Sequence, residues 1–211
     1  MPDSYPRVCV SAGHGLGSRK PKQTDPGASI KPSTLGISEA DVTLSVAKSV
    51  YRDIDRLFRA KGRGAAYLRD EGAFYLADDY AVAKRCDVFV ELHTDAAGKT
   101  AHGSTALYES ARAHDLAVDM VGAVSKALGT TNRGAKKRTD LAVLNPHGTM
   151  RQVLLEMFFG TNSTDVAKYR AHRDALVLAI VNSILHDRGW KRLRKRPSKM
   201  TRLALRLYKP Y

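Results

Sequence analysis

The sequence has few cysteines, few aromatic residues and no long hydrophobic run. Two of its 211 residues are cysteines, and aromatic residues make up 7%. So few cysteines exclude a disulfide-rich scaffold, and because Cys9 and Cys86 lie in or beside apolar stretches, we expect buried, reduced thiols. Since no run of about 18 apolar residues occurs, we expect no transmembrane segment.

The start of the chain also lacks the pattern of a secretory signal. Residues 1–7 are polar and contain two prolines. A secretory signal would have a positively charged segment followed by an apolar one. We therefore expect the protein to be made in the cytoplasm without a signal peptide.

Acidic residues are scarce relative to basic ones, but the imbalance is local. The chain has 35 Lys and Arg against 21 Asp and Glu, a formal net charge of +14. Residues 191–211 contain nine basic residues and no acidic one, whereas residues 1–190 contain 26 basic and 21 acidic residues. We therefore expect one domain over 1–190 and a basic tail over 191–211, with no specific nucleic-acid partner.

The apolar pattern predicts strands that alternate with helices. Six strands are expected, over 7–12, 65–68, 87–93, 104–108, 141–144 and 152–159. Helical spacing and a capping-box pattern at residue 38 favour helices over 38–60, 73–85, 111–128 and 165–186. Such alternation predicts a single-domain α/β fold with a mostly parallel sheet, whose sites form beyond the carboxyl ends of strands.

Four residues stand where such a sheet would place functional groups. His14 follows the first strand between two glycines, and Glu39 opens the first helix. His93 ends the third strand, and Glu156 lies within a strongly apolar strand, where a carboxylate is costly unless paired, protonated or near a metal. Each also has an ordinary explanation, such as a helix-dipole contact for Glu39 or a salt bridge for Glu156.

Together these residue types fit a hydrolytic zinc site. Two imidazoles and one carboxylate form a Zn²⁺ ligand set that leaves a fourth position for water, whose pKa falls to about 7 when bound. A second carboxylate in an apolar wall would have a raised pKa and could carry a proton from water to a leaving nitrogen. Glu91, on the same strand face as His93, is a rival for this acid.

Short segments around these residues have the order and spacing of a known enzyme family. They are AGHG at 12–15, SEA at 38–40, VELHTDA at 90–96, NRGAK at 132–136, LAVL at 141–144 and VLLEMFF at 153–159, then Asn162 and Asp165. From about residue 8 to 186 the chain resembles zinc-dependent N-acetylmuramoyl-L-alanine amidases of the amidase-3 type. The resemblance implies a six-stranded sheet packed between helices, with zinc held by His14, Glu39 and His93 and with Glu156 as catalytic acid and base.

Three positions depart from that family's usual pattern. Ser11 stands where members often have Asp, Asp95 where Asn is frequent, and Glu91 where a small residue is common. None of these departures removes an expected zinc ligand. By their places in the family pattern, Asp95 and Arg133 are candidate substrate contacts.

The resemblance implies a peptidoglycan hydrolase that cleaves the amide between N-acetylmuramic acid and L-alanine. A zinc peptidase acting on stem peptides and a wall-binding module without activity are alternatives. Because no signal segment is recognised, we expect a phage endolysin that acts on the cell wall or periplasm after release, with a bacterial autolysin as the alternative. The basic tail is expected to attach the enzyme to an anionic cell-envelope surface, although a merely solvated tail would have the same composition.

Overall fold

The computed structural model describes residues 5–30, 37–98, 100–145 and 147–199. The strands in these ranges are β1 Arg7–Ala12, β2 Gly15–Leu16, β3 Thr24–Asp25, β4 Ala65–Arg69, β5 Val88–Asp95, β6 Ser104–Tyr108, β7 Asn132–Lys137 and β8 Arg151–Phe159. The α-helices are α1 Glu39–Lys61, α2 Ala77–Ala83, α3 His114–Leu128 and α4 Ser163–Asp187. None of these helices is both long and apolar enough to cross a membrane.

Six strands form one sheet in the order β4-β1-β5-β8-β6-β7. Strands β4, β1, β5 and β8 run parallel to one another, β6 is antiparallel to β8, and β7 is parallel to β6. The prediction of a mostly parallel six-stranded sheet is confirmed. Because β1, β5 and β8 are parallel neighbours, their carboxyl ends meet at one edge of the sheet.

One predicted strand is wrong. Residues 141–144 form a turn, in which the Leu144 amide donates to the Leu141 carbonyl at 3.0 Å. Their apolar character reflects burial, since Val143 and Leu144 pack into a small core on one face of the sheet. The sixth strand is β7, which pairs with β6 at the opposite end of the sheet from β4. Its sequence is mostly polar, so hydrophobic patterning does not reveal it.

Alternation along the strands separates two faces of the sheet. Even-numbered residues of β1 and β5, such as Val10 and Val90, belong to the large core that includes α1, α3 and α4. Cys9 and Phe89 point the opposite way, into the smaller core with α2. Both cysteines are free and buried, as predicted. Glu91 and His93 follow Phe89 with the same period and therefore project from the α2 face.

The start of α1 is fixed by the predicted capping box. The Ser38 hydroxyl accepts from the Asp41 amide at 3.3 Å, and the Asp41 carboxylate accepts from the Ser38 amide at 2.8 Å. Glu39 is consequently the first residue of the helix, and its amide donates to the Ala28 carbonyl at 2.9 Å. These bonds hold the loop before α1 against the helix start and bring Glu39 to the edge of the sheet.

The segment after α4 packs back onto the domain. Trp190 is buried, with its ring 5.4 Å from that of Phe58. Leu193 is buried and bonds through its backbone to the Asn182 side chain, at 2.6 and 2.9 Å. Residues 191–199, the first part of the predicted tail, therefore cover α1 and α4. The remainder, 200–211, lies outside the described residues.

Candidate metal centre and cleft

His14, Glu39 and His93 meet at the carboxyl edge of the sheet. One potential ligand atom from each lies within 4.8 Å of the other two. Glu39 stands between the imidazoles: its Oε2 is 3.2 Å from His14 Nε2, and its Oε1 is 3.1 Å from His93 Nδ1. The Thr94 amide and the Ala28 amide also donate to the Glu39 carboxylate, each at 2.9 Å. Glu39 follows His14 by 25 positions and precedes His93 by 54 positions in the chain. The ends of β1 and β5 and the start of α1 bring the three residues together.

The backbone at His14 is strained. Its φ is +65°, a left-handed conformation that costs a non-glycine residue about 1–3 kcal/mol and tends to occur at functional sites. Gly27 packs directly against this turn, because a Cβ there would lie 2.6 Å from Glu39 Oε2 and 2.7 Å from His14 Cδ2. The loop can approach the site only with glycine at this position.

Asp25 completes the surroundings of His14 and was not among the residues predicted from the sequence. Its Oδ2 is 2.8 Å from His14 Nδ1, and its Oδ1 accepts from the Gly27 amide at 3.1 Å. Burial acts to raise the pKa of Asp25, but the contacts with His14 and the Gly27 amide, together with the charge of Arg19, outweigh burial and lower that pKa. The only sequence signal was an acid in the polar loop between two expected ligands.

Glu156 lies beside His93 across the β5–β8 pair, where the two residues are Cα partners. Its Oε2 atom is buried and has no hydrogen-bond partner among the described residues. Burial raises the pKa of Glu156 to about 7; the charges of Asp95 and Glu39 act in the same direction, and those of His93 and His14 oppose it. The direction of this pKa shift agrees with the raised pKa expected for a second carboxylate in an apolar wall.

For the two histidines, neighbouring carboxylates rather than burial decide the direction of the pKa shift. Burial alone would lower the pKa of His93, but its contacts with Glu39 and Glu91 outweigh burial and raise that pKa to about 10. The pKa of His14 is also raised, because Glu39 and Asp25 outweigh its burial. Glu39 is buried too, yet the two imidazoles hold its pKa well below the usual range.

The donor set fits a divalent cation. Four carboxylates surround the two imidazoles, those of Asp25, Glu39, Glu91 and Glu156. Two of their buried oxygens, Glu91 Oε2 and Glu156 Oε2, have no partner among the described residues. Such an excess of buried negative charge is costly unless a cation or protons compensate it. Imidazole nitrogen with carboxylate oxygen is a ligand combination typical of zinc.

Both histidines open into a cleft with a volume of about 470 Å³, within the range of small-molecule sites. Arg19, Asp25 and Glu91 contribute polar groups to its wall. The rest of the wall is mainly apolar or aromatic and includes Phe74, Leu141, Ala142, Val143 and Leu154. The apolar stretch that was predicted as a strand is therefore one side of this cleft.

The two candidate substrate contacts, Asp95 and Arg133, lie outside the wall of this cleft. Asp95 ends β5, and its carboxylate accepts from the Ala96 amide at 2.8 Å. Arg133 is on β7, donates to the His102 carbonyl at 3.3 Å, and has its guanidinium 5.1 Å from the centre of the Phe159 ring. Neither is among the described residues that line the cleft. Their roles stay predictions.

A second group of metal-binding residue types, Asp78, Asp79 and His147, has a structural explanation. The buried Asp78 Oδ2 accepts from the backbone and side-chain nitrogens of Asn145 at 3.2 and 3.0 Å and lies 2.9 Å from His147 Nε2. Asp79 is exposed. Because the Asp78 oxygen already has three partners, this cluster fastens the loop before β8 to α2.

The fold and the site define the class of the protein: a single-domain α/β protein with a His–Glu–His set and a buried carboxyl group at the carboxyl edge of a parallel sheet. Residues 8–186 match the model of the Amidase_3 family, and the chain belongs to this family of N-acetylmuramoyl-L-alanine amidases. The protein is accordingly a peptidoglycan hydrolase acting on the amide between N-acetylmuramic acid and L-alanine.

Individual relatives are distant in sequence. The uncharacterised protein YqiI of Bacillus subtilis is 29% identical over 186 residues, which cover 84% of this chain and 82% of YqiI. An N-acetylmuramoyl-L-alanine amidase from Clostridium difficile 630 shares the fold with a TM-score of 0.72 at 22% identity, covering 87% of this chain and 96% of that one. The catalytic domain of the CD27L endolysin, which targets Clostridium difficile, has a TM-score of 0.65 at 22% identity, covering 90% and 100%.

Proposed function

We propose that the amidase is zinc-dependent, with His14, Glu39 and His93 as the metal ligands and Glu156 as the catalytic acid and base. The observation that carries the proposal is the convergence of three donor side chains, within 4.8 Å of one another, beside a buried and unpartnered carboxyl oxygen. Zinc bound there supplies a Lewis acid and makes hydroxide available at neutral pH.

The protein side chains prepare the site for this chemistry. With its Nδ1 hydrogen bonded to Asp25, His14 would present Nε2, which lies 3.2 Å from Glu39 Oε2, to the metal. The amides of Ala28 and Thr94 hold the Glu39 carboxylate in place. The apolar wall of the cleft, with Phe74 and Leu154, limits the access of water to the reacting groups.

Glu156 moves the proton. Its carboxylate takes a proton from the attacking water as the water oxygen bonds to the lactyl carbonyl carbon. When the carbon–nitrogen bond breaks, Glu156 returns that proton to the departing nitrogen of L-alanine. A pKa of about 7 suits both transfers, because the group is neither a strong acid nor a strong base at neutral pH.

We propose further that the enzyme is a phage endolysin that is made in the cytoplasm and reaches the wall or periplasm after release. The fold that it shares with the CD27L endolysin is consistent with this proposal. A bacterial autolysin with the same chemistry would share the fold equally well. Residues 200–211 contain Arg202, Arg206 and Lys209, and we propose that they attract the enzyme to anionic envelope polymers.

Product analysis of digested peptidoglycan tests the chemistry. Mass spectrometry should find free alanine amino termini and sugars that retain intact lactyl groups. A chelator should abolish these products, and added zinc should restore them. New amino termini within the stem peptide would instead identify a peptidase, and wall binding without any products would identify a non-catalytic module.

A further inference from the structure

Glu91 is a buried carboxylate at the site that the proposed chemistry does not use. It lies on β5, two residues before His93, and its side chain is 1% exposed. Its Oε1 is 3.5 Å from His93 Nε2. Its Oε2 has no hydrogen-bond partner among the described residues. A charge buried this deeply needs a compensating partner, and His93 is the one that the geometry offers.

No described residue next to Glu91 on the adjoining strands competes with His93 for its carboxylate. Its Cα partners on the adjoining strands are Ser11 on β1 and Leu154 on β8, neither of which is charged. The nearest cation in this row is Arg69, the Cα partner of Ser11. Its guanidinium is used in bonds to the Ser11 hydroxyl and to two backbone carbonyls. Within the described part of the chain, the only ion pair of Glu91 is the one with His93.

The two imidazoles of the site are arranged alike. Each directs one nitrogen toward Glu39 and the other toward an outer carboxylate. For His14 the outer carboxylate is Asp25, at 2.8 Å, and for His93 it is Glu91, at 3.5 Å. Metal-binding histidines usually donate their second N–H to such a group, which fixes the ring orientation and the tautomer.

The ring of His93 also has little freedom to turn. A Cβ at Gly13 would lie 2.4 Å from His93 Cε1 and 2.5 Å from Nε2, so the ring edge that carries Nε2 packs against the backbone at the end of β1. Glu91 therefore faces a nitrogen whose position is already restricted. An acceptor at this point selects which nitrogen carries the proton.

We propose that Glu91 is a positioning residue whose carboxylate accepts a hydrogen bond from the Nε2–H of His93 and thereby presents Nδ1 to the metal. The inference rests on the proposed metal centre, but it concerns the orientation of one ligand rather than the existence of the site. Loss of such an outer carboxylate typically weakens metal binding by about 10–100-fold.

Zinc affinity, measured by competition with a chromophoric chelator, tests the proposal. Glu91→Met removes both acceptor oxygens at similar length and should weaken binding by about 10–100-fold. Glu91→Gln keeps a neutral acceptor and should give an intermediate loss. Glu71→Met, at an exposed glutamate, is the matched control and should bind zinc like the wild type. The visible absorption of the cobalt-substituted protein should change in the Glu91 variants and not in this control.

A variant that moves the carboxylate from residue 91 to residue 11 distinguishes a positioning role of Glu91 from a general loss of structure. Because Ser11 and Glu91 are Cα partners, residue 11 projects from the same face of the sheet beside residue 91. The double variant Ser11→Asp/Glu91→Ser should recover at least part of the lost affinity and the wild-type cobalt spectrum. In the zinc-loaded wild type, ¹⁵N NMR should show His93 with a metal-bound Nδ1 and a protonated Nε2, a measurement that does not depend on how any variant folds.

Two results would overturn the proposal: wild-type zinc affinity within about threefold in a folded Glu91→Met variant, or a metal-bound Nε2 at His93. Failure of the metal centre itself would look different, because the wild type would then bind no zinc at all.

Discussion

Two regions of the protein bury charged side chains, and they compensate them differently. Beside α1 and α4, the guanidinium of Arg196 bonds to Asp53 at 2.6 Å and also bonds to Asp174, so cations of the chain itself compensate the acids. At the carboxyl edge of the sheet, four carboxylates surround the imidazoles of His14 and His93, and the exposed Arg19 pairs with one of them, Asp25, at 3.0 Å. In the first region each acid faces a cation of the chain, although Asp53 Oδ1 and Arg196 Nη2 have no hydrogen-bond partner among the described residues. The second region has more carboxylates than cations.

Whether cations of the chain compensate the buried acids distinguishes a structural charge cluster from a functional one. Buried ion pairs that satisfy each other hold elements together and offer nothing to a ligand. Where carboxylates outnumber cations and buried carboxylate oxygens lack a hydrogen-bond partner, as at Glu91 Oε2 and Glu156 Oε2, a cation binds favourably. Burial of charge alone therefore does not mark the site; the lack of compensation within the chain does.

The largest effect, on the rate of amide hydrolysis, is expected from removing Glu156, the proposed acid and base of the uncompensated region. Glu156→Ala should retain zinc but lose about 10²–10⁴-fold in amide hydrolysis, the usual contribution of a general acid and base. Turnover on purified peptidoglycan and the zinc content of the same sample measure the two properties. His14→Ala is the contrasting variant, which should lose bound zinc as well. Near-normal hydrolysis by Glu156→Ala would remove the role assigned to Glu156.

The compensated region should respond in stability rather than in activity. Arg196→Ala leaves the buried Asp53 without its partner and should lower the free energy of unfolding by about 3–5 kcal/mol. Arg194→Ala, at an exposed position in the same segment, should change it by less than about 0.5 kcal/mol. Denaturant unfolding compares the two variants. Equal stabilities would mean that the Arg196 pairs contribute little to the fold.

Proton release should distinguish the site from the compensated cluster. Because the pKa of His93 is about 10 without metal, this imidazole is protonated at neutral pH and must lose its proton when zinc binds. Zinc binding at pH 7 should therefore release about one proton or more, and affinity should rise about tenfold per pH unit. Calorimetry in buffers with different ionisation enthalpies measures the release; binding without it would contradict the assignment of His93.

In the zinc-free protein, the raised pKa of His93 makes the free energy of unfolding fall as the pH rises, whereas zinc affinity rises with pH. The raised pKa of His93 stabilises the fold below pH 6.5, the ordinary value for histidine, and this contribution is lost as the pH rises toward 10. Unfolding of the chelated protein at several pH values measures it.

The smallest effect is expected from the end of the chain. Because residues 191–199 pack on α1 and α4, a truncation that tests wall attachment should end at Lys199 and not at Trp190. Removal of residues 200–211 should lower binding to whole walls a few-fold at low salt and less at high salt, since surface charge is screened. Activity on soluble muropeptides should be unchanged. Equal wall binding by the truncated enzyme at low salt would reject the attachment proposal.

Much of the fold could be predicted because local signals agreed with the tertiary structure. Strand β1 and helix α1 have clear apolar periods, and the capping box at Ser38 fixed where α1 begins. The assignment of 141–144 to a strand was wrong because burial against a small core and burial within a sheet give the same apolar pattern. Strand β7 was missed because a sheet edge can be polar when one neighbour supplies its hydrogen bonds.

The site could be predicted only in part. Positions at strand and helix ends indicated His14, Glu39 and His93, and a carboxylate within a strongly apolar strand indicated Glu156. The structure brings the four residues together. Asp25 was missed because nothing local shows that its loop folds back onto His14. The register also relates two departures from the family pattern, since Ser11 and Glu91 are side by side on neighbouring strands. A carboxylate missing from one strand is thus present on the next, which sequence spacing does not show.

X-ray diffraction from crystals of the zinc-loaded protein, recorded on both sides of the zinc absorption edge, tests the central claim most directly. We expect one anomalous peak at the carboxyl edge of the sheet, bonded to His14 Nε2, the Glu39 carboxylate and His93 Nδ1. A zinc-loaded crystal with no peak at this position, or with a peak bonded to none of these three residues, would contradict it.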